Sequence, residues 1–230
     1  MVVGESERTP LRIAGGGRFF VRRVFCIGKN YAAHVAELGG DPRSDPPVFF
    51  SKPADAVFQG ADAPYPPETN ALHHEGELVV AIDKGGRSIA AGDADDHIFG
   101  YAVGCDFTRR DLQNKAKSAG GPWDAAKGFD WSAPIGDIVP KGEVTAIASA
   151  LLTCSVNGEI RQQAPLSEMI WSIPMIIEEL SKYFILKSGD LIFTGTPEGV
   201  GEVTVGDEVT VHVEGVPMMS VSITPPDFGA

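Results

Sequence analysis

The sequence predicts a β-rich α+β fold, a roll or barrel-like sandwich with a few flanking short helices. Three observations carry this reading. Short apolar runs bounded by Gly, Pro, Asn or Asp recur along the chain. About three segments have helical periodicity. The two kinds of segment do not alternate as βαβ units. With 230 residues the chain can bury a sizeable core.

The elements follow in order. Residues 1–17 are polar and end in AGGGR, so they are expected as a flexible N-terminal arm or a short edge strand. Residues 18–230 are expected as one domain, without repeat, linker or low-complexity tract. FFVRRVFCIG reads as one strand or two. NYAAHVAELGG reads as a short helix stopped by glycine. PVFFSKP is a strand entering a proline turn, and QGADAPYPPETN is a loop. HHEGELVVAID is a strand closed by KGGR. HIFGYAVGCDFT is another strand, with Thr108 expected to cap the helix RRDLQNKAKSAG. Residues 119–137 form a long irregular segment of the kind that carries function. In LLTCSVNGEIRQQ, Asn157-Gly158 signals a hairpin. SIPMIIEELSKYF is a helix with Ile173, Ile176, Ile177, Leu180 and Phe184 on one face and Ser172 and Pro174 at its start. LKSGDLIFTGTP and TVGDEVTVHVEGV are strands entered through Gly-Asp turns.

Composition narrows the function classes. The formal net charge of -12 argues against a nucleic-acid or anionic-membrane surface. No apolar run is long enough to span a bilayer. MVVGESERTP lacks the basic start and apolar core of a secretory signal. Cys26, Cys105 and Cys154 lie in strand-like runs with no close pair, so they read as buried free thiols in a cytoplasmic protein.

Glu75 and Glu77 in HHEGEL would share one strand face roughly 7 Å apart. Asp106 ends another apolar strand. If the two strands are neighbours, three carboxylates converge, and a hard divalent cation would relieve their repulsion. From the E-x-E motif alone, a solvated face is the commoner outcome, and Asp106 could instead cap a helix. His73 and His74 lack zinc-ligand spacing and read as packing or orienting groups. His34 and Glu37 share a helical face, as a general base with its orienting carboxylate would, or as a surface pair. Arg110 and Gln113 share a face after Asp106, where Arg suits a substrate carboxylate and a solvated face is the alternative. Lys127 could offset developing negative charge in the long loop or simply be solvated. In TGTPEGVG the threonines could address a carboxylate, and the phosphate-loop pattern is absent.

GKNYAAHVAEL, FFSKP, HHEGEL, GYAVGCDFTRRDLQ, PWDAAKGFD, VNGEIRQ and GDLIFTGTPEGVG together resemble the fumarylacetoacetate hydrolase superfamily. The likeness runs from about Phe25 to about Gly215. It is nearest to the fumarylpyruvate hydrolases of gentisate-type aromatic degradation, through RRDLQ, the PWD and KGFD loop, and IRQ before MIWS. The resemblance implies a mixed β-sandwich roll that is a homodimer and binds Mg²⁺ or Mn²⁺ through Glu75, Glu77 and Asp106. It implies that His34 and Glu37 activate water on a mobile lid. It implies that Arg110, Gln113, Lys127 and Thr196 hold the pyruvoyl end of a small-molecule 2,4-diketo acid, with Lys127 also stabilising the enolate. Hydrolysis of fumarylpyruvate is the implied reaction, oxaloacetate decarboxylation its neighbour, and a non-catalytic metal-binding β protein the alternative of another class. Gly76 departs from the pattern, in which a bulky apolar residue stands between the glutamates.

Overall fold

The computed structural model describes residues 8–37 and 47–227, without the side chains of Val35 and Glu37. The fold is β-rich α+β. Two sheets make its body. A six-stranded mixed sheet runs in the order Val139–Pro140, Ile98–Cys105, Gly76–Ile82, Asp190–Phe193, Arg23–Gly28, Val48–Lys52. A five-stranded sheet runs Glu159–Pro165, Leu151–Val156, Glu208–Val213, Val216–Thr224, Asp62–Pro64.

Every residue of Gly76–Ile82 is buried, because the six-stranded sheet is covered on both faces. Leu78, Val80 and Ile82 face the main core, with Cys154, Val211 and Val213 of the five-stranded sheet. Val79 and Ala81 face a second core with Leu11, Phe19, Val57 and Ile135. Period-two alternation is thus present, but both faces are apolar, as for a strand between two layers.

Leu11 decides between the two N-terminal expectations, against a flexible arm from residue 10 onward. Its side chain is fully buried, and Pro10–Arg12 pairs antiparallel with Arg18–Phe20. From residue 10 the arm is therefore an edge strand that seals the second core, while residues 1–7 lie outside the described part. FFVRRVFCIG is two strands, Arg18–Phe20 and Arg23–Gly28. The proline-rich loop contains a short strand, Asp62–Pro64, parallel to the end of Val216–Thr224; as an edge strand it tolerates Pro64.

Among the described residues four α-helices flank the sheets: α1 Ala32–Glu37, α2 Arg110–Ala119, α3 Asp124–Lys127 and α4 Ile173–Tyr183. On α4, Ile173, Ile176, Ile177 and Leu180 are buried, as the periodicity predicts. Thr108 does not cap α2. It belongs to a short strand, Thr108–Arg109, and its hydroxyl donates to the Asp106 carbonyl at 3.1 Å. The hairpin at Asn157-Gly158 forms, with both residues at positive φ, as a tight two-residue turn requires. All three cysteines are buried and unpaired.

Candidate active site

HHEGEL is not one strand. Leu72–His74 belongs to a small three-stranded sheet and Gly76–Ile82 to the six-stranded sheet, with Glu75 at the break. Gly76–Ile82 pairs with Ile98–Cys105 in a register that sets Gly76 opposite Cys105. The chain then delivers Asp106 beside the two glutamates, and the Asp106 N–H donates to the Glu75 carbonyl at 2.8 Å. One carboxylate oxygen from each of Glu75, Glu77 and Asp106 lies within 4.8 Å of the others.

Gly76 now has a reason. A Cβ there would sit 2.7 Å from Cys154 Cβ and 3.2 Å from its sulfur, closer than packed carbons approach. The five-stranded sheet presses on the strand between the two glutamates. The Gly76 N–H donates to Gln162 Oε1 at 2.9 Å, and its carbonyl accepts from Thr196 Oγ1 at 2.9 Å. Gln162 Nε2 in turn donates to Thr196 Oγ1 at 2.7 Å, so the single hydroxyl proton of Thr196 is committed within the protein. His74 is buried with Nδ1 3.2 Å from Gln162 Oε1, a packing and orienting role.

Cations surround two of the three carboxylates. Lys127 Nζ donates to Glu75 Oε2 and to Asp106 Oδ2, each at 2.7 Å. Arg110 pairs with the other oxygen of Glu75, and Arg110 Nη1 donates to Gln113 Oε1 at 2.5 Å. Lys52 Nζ lies 2.8 Å from Asp106 Oδ1, close enough for an ion pair but outside hydrogen-bond geometry. Its hydrogen bonds go to the carbonyls of Phe107 at 3.2 Å, Ser132 at 3.1 Å and Lys127. Lys52 was not apparent as a site residue from FFSKP, where a lysine closing an apolar strand looks solvated.

Glu77 is different. It is 2 % exposed and has no cationic partner within ion-pair distance among the described residues. Its Oε2 accepts the Gly195 N–H at 2.7 Å. Gly195 has φ +96°, and a Cβ there would lie 2.7 Å from Asn30 Cβ. Burial, then the Asp106 and Glu75 carboxylates, push the Glu77 carboxyl well above the ordinary carboxylate range. Burial would also raise Glu75, but Lys127 and Arg110 overcome it and hold that carboxyl well below the ordinary range. The donor set fits a divalent cation: three hard oxygens, closely grouped, with Glu77 lacking a cationic partner among the described residues.

His34, on α1, is 4 % exposed and lines the same cleft as the three carboxylates, Arg110, Gln113, Lys127 and Thr196. Free space in the cleft, counted out to open solvent, is about 380 Å³. The Glu37 side chain lies outside the described part, so its pairing with His34 rests on helical register alone. Lys117, Trp123 and Lys29 line the cleft as well and were not singled out from sequence. Lys117 follows Arg110 and Gln113 at helical spacing, and that periodicity was the signal.

The sequence profile described as "Fumarylacetoacetate (FAA) hydrolase C-terminal" matches residues 23–224. The crystal structure of fumarylpyruvate hydrolase from Pseudomonas aeruginosa in complex with Mn²⁺ and pyruvate is 43% identical, with a TM-score of 0.95 over 98% of this chain and 99% of that one. Human mitochondrial oxaloacetate tautomerase FAHD1 is 40% identical over 208 residues, 90% of this chain and 94% of its own. The mitochondrial oxaloacetate decarboxylase of Dictyostelium discoideum is 39% identical over 197 residues, 85% of this chain and 90% of its own. A chain with this sheet arrangement, this acidic triad and these likenesses belongs to the fumarylacetoacetate hydrolase family.

Proposed function

We propose that the protein hydrolyses the carbon–carbon bond of a 2,4-diketo acid, fumarylpyruvate above all, giving fumarate and pyruvate. The observation that carries this is His34 facing the same cleft as a compact buried triad of carboxylates. Glu75, Glu77 and Asp106 would hold Mg²⁺ or Mn²⁺, both of which accept oxygen donors. When bound, such an ion supplies Lewis-acid polarisation of a keto oxygen and charge stabilisation.

The chain's own groups supply the rest. His34, oriented by Glu37, takes a proton from water. The water oxygen attacks the distal carbonyl carbon, and the bond between that carbon and the methylene breaks. The electron pair passes to the pyruvate enolate, whose charge the Lys127 ammonium stabilises. Protonation at the methylene carbon completes pyruvate. Gln113 has its carbonyl oxygen engaged by Arg110, which leaves its amide N–H groups to the substrate carboxylate. Thr196 offers that end of the substrate its backbone. The expected setting is a cytoplasmic homodimer in aromatic-compound degradation, without nucleic-acid or membrane partners. No helix among the described residues is long and apolar enough to cross a membrane.

Oxaloacetate is the second reading, favoured by the tautomerase and decarboxylase relatives. Its decarboxylation yields the same enolate without an activated water. The test is a panel of acylpyruvates and oxaloacetate, assayed with Mg²⁺, with Mn²⁺ and with a chelator. Full hydrolysis in chelator would sink the metal-dependent reading. His34→Ala should lower hydrolytic kcat by about 10²–10⁴-fold while retaining Mn²⁺ binding, and should leave decarboxylation largely intact. Wild-type hydrolysis rates in that variant would remove His34 as the base.

A further inference from the structure

The chain carries a net charge of -12, yet the wall of this cleft gathers Lys29, Arg110, Lys117 and Lys127. Arg110 and Lys127 are matched to Glu75 and Asp106. Lys117 is not matched: among the described residues no carboxylate lies within ion-pair distance of it. Its ammonium stands 5.3 Å from the centroid of the Trp123 ring, which lines the cleft too. Arg110, Gln113 and Lys117 occupy positions i, i+3 and i+7 of α2, one helical face. The rise of the helix puts Lys117 about 10 Å further along than Arg110, beyond a three-carbon keto acid held at Gln113. Partial burial lowers the Lys117 pKa, and Arg110, Lys127 and Lys29 add to this against an opposing pull from Glu75.

We propose that Lys117, exposed at the cleft mouth beside Trp123, binds the far carboxylate of the substrate and so selects dicarboxylic over monocarboxylic keto acids. This rests on the reaction proposed above for the substrate's near end. A cation at the open end also draws dianions toward a protein whose net charge of -12 otherwise repels them. The exposed position makes substitution safe for folding, since surface changes of this kind cost little stability.

The test compares two pairs of compounds that differ in the terminal carboxylate. Fumarylpyruvate and acetylpyruvate report turnover with Mn²⁺. The pair 2-oxoadipate and 2-oxohexanoate, of equal chain length, reports binding by calorimetry on the Mn²⁺-loaded protein without requiring any reaction. Wild type should favour the diacid of each pair by at least tenfold. Lys117→Gln should raise KM for fumarylpyruvate roughly 10–100-fold, leave kcat and the monoacids within about threefold, and abolish the binding preference. Lys117→Glu should invert the preference, and Lys117→Arg should restore it. Equal loss for both members of a pair, or an unchanged preference in Lys117→Gln, overturns the inference. If no diketo acid is turned over but Lys117→Gln still erases the 2-oxoadipate preference, the hydrolase reading falls and the carboxylate site stands. Absence of any binding preference in wild type rejects the site itself.

Discussion

Lys52 directs its ammonium at four oxygens contributed by Asp106, Phe107, Lys127 and Ser132. It cannot reach a substrate, because it is 3 % exposed and does not line the cleft. Its removal would strip the cation from Asp106 Oδ1, leaving Lys127 alone at Oδ2, and would take the donor from three buried carbonyls. Lys52→Met should therefore cost about 3–5 kcal/mol in urea unfolding of the metal-free protein, and a loss below about 1 kcal/mol would show that the pair contributes little. Individual residues differ in how far they were legible in the sequence. Glu75, Glu77 and Asp106 stood out as a group through the ordered motifs of the family resemblance, whereas strand alternation alone favoured a solvated face and Glu75 lies at a break between strands. Lys52 did not stand out, since three of its partners are backbone carbonyls more than fifty positions away. Lys117 could have been found by continuing the helical count from Arg110 and Gln113.

At the scale of elements, α3 and α4 stand at opposite extremes. α4 has 11 residues and four buried aliphatic side chains, and its apolar stripe was plain in SIPMIIEELSKYF. Ile177 is fully buried in the main core, so Ile177→Ala should destabilise by about 2–5 kcal/mol, seen as a lower denaturant midpoint at unchanged m-value. α3 has four residues, too few to persist unaided. Its last carbonyl is held by Lys52 and by Ser132 Oγ at 3.0 Å, so Lys127 is placed by tertiary contacts. That is why residues 119–137 read only as an irregular segment. The strand through HHEGEL shows the same limit. Its apolar half was legible, while the change of sheet at Glu75 depends on partners distant in the chain.

Across the whole molecule, the two-sheet body followed from strand counts and the lack of βαβ alternation. Closure by the N-terminal strand was only one of two expectations, because Leu11 and Ile13 stand in a segment otherwise polar and glycine-rich. A site drawn from three helices, a sheet strand and the segments that carry Glu75, Asp106 and Thr196 exists only in the closed roll, so a cation that binds there binds the native state. Mn²⁺ at a hundred times its Kd should add about 2.7 kcal/mol to unfolding stability, and EDTA should reverse the shift. The same midpoint with and without Mn²⁺ would show that the triad does not take the ion. The contact at Gly76 acts on a longer timescale. Gly76→Ala should cost about 1–3 kcal/mol, because the new methyl meets the Cys154 Cβ. In a Cys154→Gly background that obstacle is gone, and the same change should cost much less. The order of substitutions therefore matters: a side chain at position 76 costs less once the opposite sheet has yielded at 154, so each position sets what the other can accept.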